Sequence, residues 1–182
     1  MVPDSRWSTP ISPTGRLRTT GRVGRTTISS LCGGTSPVAE LGKKLGFKPG
    51  DQACLLDAPP EGTALLRREC VEVEFDQRLG PVRYSVILFW PREVAGLTGR
   101  LAKLQRSIAP DGAIWVVIPK AEFARRRGVD LPWEAMQAAA LQTDLVDNKV
   151  ASITEEEYGT RFVIRKDRRA KYEQSDQSWS NA

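Results

Sequence analysis

The stretch Tyr84–Lys120 constrains the fold of this 182-residue chain more than any other segment. It predicts a strand at Ser85–Trp90, an amphipathic helix, a turn at Pro110–Gly112 and a second strand at Ala113–Ile118. The apolar helix residues follow at spacings of three and four and share one face: Val94, Leu97, Leu101, Leu104 and Ile108. Because both strands are continuously apolar, we expect a parallel sheet covered on both faces, with a right-handed crossover between the two strands.

Helices and strands also alternate on either side of this unit. Before the unit we expect a helix from Val38 closed by Gly46, a buried strand Ala53–Leu56, a short helix over 61–70 and an alternating edge strand Val71–Phe75. After it we expect a brief helix Ala121–Arg127 closed by Gly128, and then a helix capped by Asp130 that turns Trp133, Met136, Ala140 and Leu141 towards the sheet. The chain is predicted to end in the strands Lys149–Ile153 and Thr160–Arg165. The last two strands are joined by a link that allows only an antiparallel hairpin. The fold class is therefore α/β, a three-layer, Rossmann-like, mostly parallel sheet with a C-terminal antiparallel hairpin.

The predicted domain organisation is a basic N-terminal extension (1–35), one α/β domain (36–167) and a polar C-terminal tail (168–182). Residues 1–37 hold five arginines and one acid, so they carry most of the net charge of +5. The extension is rich in Ser, Thr, Gly and Pro without periodicity, and we expect it to be disordered. Its dispersed arginines favour an inert extension over an arm that contacts phosphates or an organelle transit peptide.

Histidine is absent from the sequence, which excludes several classes of site. Ser-His-Asp and Cys-His nucleophile pairs and His-ligated metals all require it, so catalysis would rest on carboxylates, lysines, tyrosines or a thiolate. The three cysteines contain no CxxC pair, which argues against a disulfide framework or a zinc ribbon. Because no apolar run could span a bilayer and no secretory leader is recognisable, we expect a cytoplasmic protein without a membrane partner.

The order of the predicted elements resembles a trimmed class I S-adenosylmethionine-dependent methyltransferase fold. The likeness is strongest at Ile108–Ala113, which resembles that superfamily's turn into its fifth strand, and at the closing hairpin. The resemblance implies a glycine-rich loop after the first strand, where the backbone approaches the cofactor. Here that position is Asp57–Gly62, in which Pro59 and Pro60 restrict φ and lack N–H donors. We therefore expect neither methyl transfer nor a bound cofactor.

Residues from about 33 to 169 also resemble an uncharacterised bacterial family, domain of unknown function 3052. The segments that carry this resemblance are Gly34–Pro37, Leu45–Gly50, Ala109–Trp115 with Pro119 and Lys120, Leu145–Val150 and Arg161–Lys166. The resemblance implies no activity, because none is established for that family. Tyr158 departs from it, since a tryptophan is expected there in relatives.

The candidate ligand-binding residues follow the ends of parallel strands, the edge at which open α/β sheets bind ligands. They are Asp57, Glu61, Asp76, Trp90, Arg92 and Lys120. Mixed charges around an indole suit a small zwitterion or a nucleobase, but the favoured interpretation places Trp90 in the core and the charges at solvated strand ends. For Lys120, the solvated start of a helix is favoured over a desolvated nucleophile or base.

Four further groups have a functional and a structural interpretation, and the structural one is favoured for each. Cys54 is expected in the core, and Cys70 is expected to be structural rather than an exposed thiol activated by neighbouring arginines. Glu155–Glu157 suits a solvated turn better than a divalent-cation site. Arg125–Arg127 suits a solvated helix face better than a phosphate contact.

Three functions are compatible with these features. The favoured one is a non-catalytic methyltransferase-like module that binds a small ligand or a protein partner, so the sequence leans against an enzyme. The second is an enzyme at the carboxyl edge of the sheet that uses Asp57, Glu61 and Lys120 in acid–base chemistry. The third is nucleic-acid association through the basic segments Arg6–Arg25 and Arg168–Lys171, since the domain itself is nearly neutral.

Overall fold

The computed structural model describes residues 37–173, with side chains from Glu40 onward. The strands are β1 (Gln52–Leu56), β2 (Glu74–Asp76), β3 (Tyr84–Phe89), β4 (Ile108–Pro119), β5 (Leu145–Ser152) and β6 (Glu157–Ile164). The helices are α1 (Pro37–Leu45), α2 (Pro60–Glu69), α3 (Leu97–Ser107), α4 (Ala121–Arg127) and α5 (Trp133–Leu141), and a 3-10 turn follows at Lys166–Arg168. The predicted N-terminal extension lies outside the described residues, as does the end of the predicted C-terminal tail.

The six strands form one sheet in the order β2-β1-β3-β4-β6-β5. β1 pairs in parallel with β2 and β3, and β3 pairs in parallel with β4. β6 runs antiparallel to both β4 and β5. The chain therefore has the predicted α/β fold, a mostly parallel sheet closed by an antiparallel hairpin. Strand β6, which ends in the apolar run Phe162–Ile164, lies inside the sheet.

The core consists of two layers because the central strands are apolar on both faces. On one face of β3, Ile87 and Phe89 pack with the apolar sides of α3 and α5. On the other face, Val86 and Leu88 pack with those of α1 and α2. The two-residue period of a strand sends neighbouring side chains to opposite layers, so an uninterrupted apolar run serves both.

The predicted turn at Pro110–Gly112 is wrong, because these residues belong to β4. The register between β3 and β4 shifts between the pairs Tyr84–Ile108 and Val86–Ala113, so the strand bulges there instead of beginning after a turn. A Cβ on Gly112 would lie 2.9 Å from the carbonyl oxygen of Ser85. Glycine is therefore required at this position by the close approach of the two backbones.

Other boundaries also differ from the sequence-based expectation. Strands β5 and β6 begin at Leu145 and Glu157, before the predicted Lys149 and Thr160. Helix α3 begins at Leu97, which leaves Val94 in the preceding loop with 41% of its surface exposed. Strand β2 begins only at Glu74, and Val71 is 80% exposed in a turn. Helix α5 is capped by Pro132 rather than by Asp130, and Leu141 at its end is exposed. For α3, β2 and α5, the apolar residue lies outside the helical turns or strand pairs that reach the core.

The chain segment after β6 returns to the core. Tyr172 is buried against the layer of α3 and α5, and its hydroxyl donates a hydrogen bond to Asp144 at 2.7 Å. Among the described residues, no helix has the length and apolar character that crossing a bilayer requires.

Candidate functional site

A cleft of about 370 Å³ lies at the carboxyl ends of the parallel strands β1, β3 and β4. We call it the carboxyl-end cleft; its lining comprises 57–61, Trp90, Pro91, Arg92, Val117, Pro119, Arg127, Val129 and Glu157. The loop after β3 forms one wall and is fastened to the α4–α5 loop, because the Asp130 N–H donates to the Arg92 carbonyl oxygen at 2.9 Å. This is the edge at which parallel α/β sheets place their ligand sites.

Asp57 ends β1 in an unusual backbone conformation. Its φ of 54° makes it the one described non-glycine residue in the left-handed region, which residues other than Gly, Asn and Asp rarely occupy. The Arg100 guanidinium donates to its carboxylate at 2.6 Å and lies 4.4 Å above the ring of Phe89. Since both charged side chains are about half exposed, this ion pair orients the carboxylate more than it stabilises the fold.

Trp90 lies in the core, as the favoured interpretation predicts, and it also lies at the edge of the sheet where a ligand was expected. It is 6% exposed and packs in the layer of α1 and α2, yet it also lines the carboxyl-end cleft. A Cβ added to Gly62 would lie 3.6 Å from its ring, so the start of α2 is close to the indole. The indole nitrogen is buried, and its N–H makes no well-aligned hydrogen bond with a described residue but lies close enough to Glu157 to lower the pKa of that carboxyl. A bound group that accepts from this N–H would therefore compete with Glu157 for it.

Glu157 and Arg127 also line the cleft. Neither was among the six candidate ligand-binding residues, and both belong to groups for which the structural interpretation was favoured. The Arg127 guanidinium donates to Glu157 and to Glu156, each at 2.6 Å. Only 4% of the Glu157 side chain and 30% of the Arg127 side chain are exposed. The Thr154 hydroxyl oxygen accepts the Glu157 N–H at 3.0 Å, which helps to turn this residue inward. Three consecutive glutamates therefore differ completely in their surroundings.

The ionisation of Glu157 is perturbed by its position. Burial raises the pKa of its carboxyl, and this outweighs the lowering by the Arg127 charge and by the nearby Trp90 indole N–H. Burial alone would lower the pKa of Arg127, but the hydrogen bond to Glu156 and the charge of Glu157 raise it. The negative charge of Glu61 raises both pKa values further. The result is a permanently charged arginine beside a carboxyl that holds its proton more tightly than usual.

The structure brings together four of the six predicted ligand-binding residues. Asp57, Glu61, Trp90 and Arg92 all line the carboxyl-end cleft. Asp76 and Lys120 are not part of its lining. The Asp76 carboxylate accepts the hydroxyl of Tyr84 at 2.7 Å, and burial followed by this bond raises the pKa of Tyr84 to about 12. The Lys120 ammonium donates to the Glu155 carbonyl and so fastens α4 to the β5–β6 turn.

The structure also places the cysteines, the three glutamates and the three arginines that the sequence singled out. Cys54 and Cys70 are both buried with free thiols, and burial raises the pKa of each to about 11, so the exposed, activated interpretation of Cys70 is wrong. Within residues 37–173, no group of His, Cys, Asp and Glu is arranged to hold a metal ion. The solvated-turn interpretation of Glu155–Glu157 fails at Glu157, and the solvated-face interpretation of Arg125–Arg127 fails at Arg127.

The residues after β1 do not fit the S-adenosylmethionine loop that the resemblance implies. The first turn of α2 begins with Pro60, which has no N–H to offer, and Pro59 also lines the cleft. The only glycine of the loop, Gly62, is buried, and a Cβ there would lie 3.3 Å from the Pro59 ring. Proline rings therefore occupy much of the place where backbone N–H groups would bind the cofactor, and the loop does not fit S-adenosylmethionine.

No family model and no curated protein matches the chain. Several solved structures have a similar fold, as follows. N-methyltransferase NodS from Bradyrhizobium japonicum is 10% identical with a TM-score of 0.47, over 71% of this chain and 93% of that one. A TehB-like methyltransferase from Corynebacterium glutamicum is 11% identical with a TM-score of 0.44, over 70% and 87%. Magnesium protoporphyrin IX methyltransferase from Synechocystis is 12% identical with a TM-score of 0.46, over 71% and 80%.

These neighbours correct one expectation from sequence. The sequence-based prediction leaned against an enzyme, and the comparison contradicts it, because the three solved structures named above are methyltransferases. At these identities the likeness concerns the fold: the chain is similar to class I S-adenosylmethionine-dependent methyltransferases in the architecture of its sheet.

Proposed function

We propose that the chain is an enzyme that binds a small zwitterionic molecule in the carboxyl-end cleft and transfers a proton with Glu157. One observation carries the proposal: a buried carboxyl with a raised pKa lines the cleft beside an arginine that fixes its position. Carboxyls of this kind are frequent among general acids and bases, because a raised pKa brings proton uptake and release closer to neutral pH.

The surroundings of Glu157 support a catalytic role more than a structural one. A buried ion pair contributes little net stability, because desolvation of both charges offsets their attraction. Here the indole N–H of Trp90 lies beside the carboxyl, and the negative charge of Glu61 favours the protonated form of that carboxyl. Arg127 holds the carboxyl on the lining of the cleft, where a ligand atom could exchange a proton with it.

The charges that line the cleft favour a zwitterion as the ligand. Glu61 and Arg92 are exposed on the lining, and neither makes an ion pair with a described residue. A ligand that carries an ammonium and a carboxylate would pair with both, and the proline and valine walls would contact its apolar part. The indole N–H of Trp90 would donate to an oxygen of the same ligand.

The test uses the full chain in a thermal-shift panel of amino acids, other small zwitterions and nucleosides. A ligand at about one hundred times its Kd raises stability by about 2.7 kcal/mol, which is several degrees in Tm. Ligands that bind are then incubated with the protein and followed by NMR for chemical change. We expect the wild type to alter one of them and Glu157→Gln to bind it without altering it. Glu122→Gln, an exposed residue on α4, is the matched control and should behave as the wild type.

Two results would overturn the proposal. One is a panel in which no zwitterion raises the Tm, or in which the bound molecule remains unchanged. The other is equal conversion by the wild type and Glu157→Gln. S-adenosylmethionine is a separate arm: stabilisation by it would mean that the Asp57–Gly62 loop accepts that cofactor after all. Membership in the uncharacterised bacterial family stays a prediction, since no family model matches.

A further inference from the structure

The β5–β6 hairpin places two basic residues directly opposite each other. Lys149 of β5 pairs with Arg161 of β6 immediately after the register shift in β5. Directly opposite residues of an antiparallel pair point to the same face, and like charges in that arrangement repel each other. The pairing of Lys149 with Arg161 is therefore electrostatically unfavourable when no anion is bound.

Two more arginines, Arg165 and Arg169, follow the end of β6. Arg165 is four residues beyond Arg161 in extended backbone, so the two side chains share a face. Arg169 follows, and its guanidinium donates to the Ile164 carbonyl oxygen at 3.2 Å, which holds it at the end of β6. We call Lys149, Arg161, Arg165 and Arg169 the hairpin patch.

No acid neutralises the hairpin patch within residues 37–173, because none of its members forms an ion pair there. The Arg161 guanidinium donates to the Asn148 side-chain oxygen at 3.4 Å, and the Lys149 ammonium donates to the Lys44 carbonyl oxygen at 2.8 Å. The Arg165 Nε atom is buried without a partner. Arg161 is half-buried, and burial together with the charge of Arg169 lowers its pKa. The cations thus repel each other and have unused donors.

We propose that the hairpin patch binds the phosphate group of a small phosphorylated ligand. A phosphate supplies two negative charges and several acceptors, and it matches the planar fork of an arginine. Arg161 and Arg165 are about 13 Å apart along the strand, a separation that two long side chains can close around one phosphate or a diphosphate. Lys149 adds a third donor from the neighbouring strand.

The hairpin patch is separate from the carboxyl-end cleft. β6 begins at Glu157 opposite Pro119, at the cleft edge of the sheet, and runs away from it to Arg165. The two sites therefore lie towards opposite ends of β6. The inference does not depend on the function proposed above, and Glu157→Gln should leave phosphate binding unchanged.

The probe is pyrophosphate added to the full chain, with Tm and calorimetric Kd as readouts. Sodium chloride at the same ionic strength separates binding from general screening. We expect Arg161→Gln and Arg165→Gln each to weaken pyrophosphate binding by about tenfold or more, since each removes charge-assisted hydrogen bonds. Arg161→Lys, which keeps the charge and loses the fork, should fall between the wild type and Arg161→Gln.

Arg126→Gln is the matched control, because Arg126 is exposed on α4, stacks on Phe123 and is not part of the hairpin patch. It should leave the Kd unchanged, and a folded far-UV spectrum for each variant supports the comparison. Equal effects of chloride and pyrophosphate, or an equal Kd in all variants, would overturn the proposal. If a single-stranded oligonucleotide binds more tightly than pyrophosphate, with the same dependence on Arg161, the proposal of a small phosphorylated ligand is wrong. The hairpin patch would then bind the phosphates of a nucleic-acid backbone.

Discussion

Removing the Arg127 side chain tests whether Glu157 is a buried charge that depends on one partner. In Arg127→Met the carboxyl keeps its place among buried groups but loses both the hydrogen bond of 2.6 Å and the compensating charge. Breaking a fully buried pair costs about 3–5 kcal/mol. Since 30% of the Arg127 side chain is exposed, water can replace part of the interaction, and we expect a loss of about 2–3 kcal/mol at neutral pH.

The loss should depend on pH in a defined direction. The pKa of Glu157 is already raised in the folded protein, so its contribution to stability falls as pH rises through that pKa. Without Arg127 the pKa rises further, and the penalty of burying a charge appears over a wider pH range. Urea unfolding at about pH 5 and about pH 8 should therefore give a smaller difference between variant and wild type at the acidic pH.

Two further variants make the test decisive. Arg126→Met, one residue away, loses only an exposed ring contact with Phe123 and should cost less than about 1 kcal/mol at either pH. Adding Glu157→Gln to Arg127→Met removes the stranded charge and should restore at least about 1 kcal/mol at the higher pH. A loss below about 0.5 kcal/mol that is the same at both pH values would refute the reasoning.

Three other predictions concern the fold and its thiols. Trp115→Phe should cost about 2–4 kcal/mol in urea unfolding, because its buried indole N–H donates to the Leu45 carbonyl at 2.9 Å and that oxygen would lose its partner. Gly159→Ala should cost about 1–3 kcal/mol, because the new Cβ would lie 2.9 Å from the Trp115 ring, whereas Gly99→Ala in open space on α3 should stabilise by about 0.5–1 kcal/mol. In a Cys32→Ser background, Cys54 and Cys70 should react with a disulfide reagent at about pH 8 far more slowly than in the unfolded chain, and faster only towards about pH 11; rapid reaction in the folded protein at about pH 8 would contradict their burial.

The architecture was largely predictable because it depends on patterns within short segments. The continuous apolar runs of β3 and β4 indicated a sheet with two covered faces, and the short link before β6 indicated a hairpin. The bulge at Gly112 was not predictable, since Pro-Asp-Gly is typical of a turn and only the close backbone of β3 reveals the strand. The sequence held no local signal that separates Arg127 from Arg125 and Arg126, because α4 has no buried residue to mark an inward face.

The sequence by itself determined the order of helices and strands, the apolar faces and the absence of histidine chemistry, because each follows from residue type and spacing. The tertiary structure decided which charges are buried. Glu155, Glu156 and Glu157 are identical in composition, and only the pairing of β6 with β4 and the reach of Arg127 from α4 turn the last of them into the cleft. Such placement depends on partners about thirty residues distant in sequence, and side-chain direction at a strand end is set by those partners and not by the local pattern.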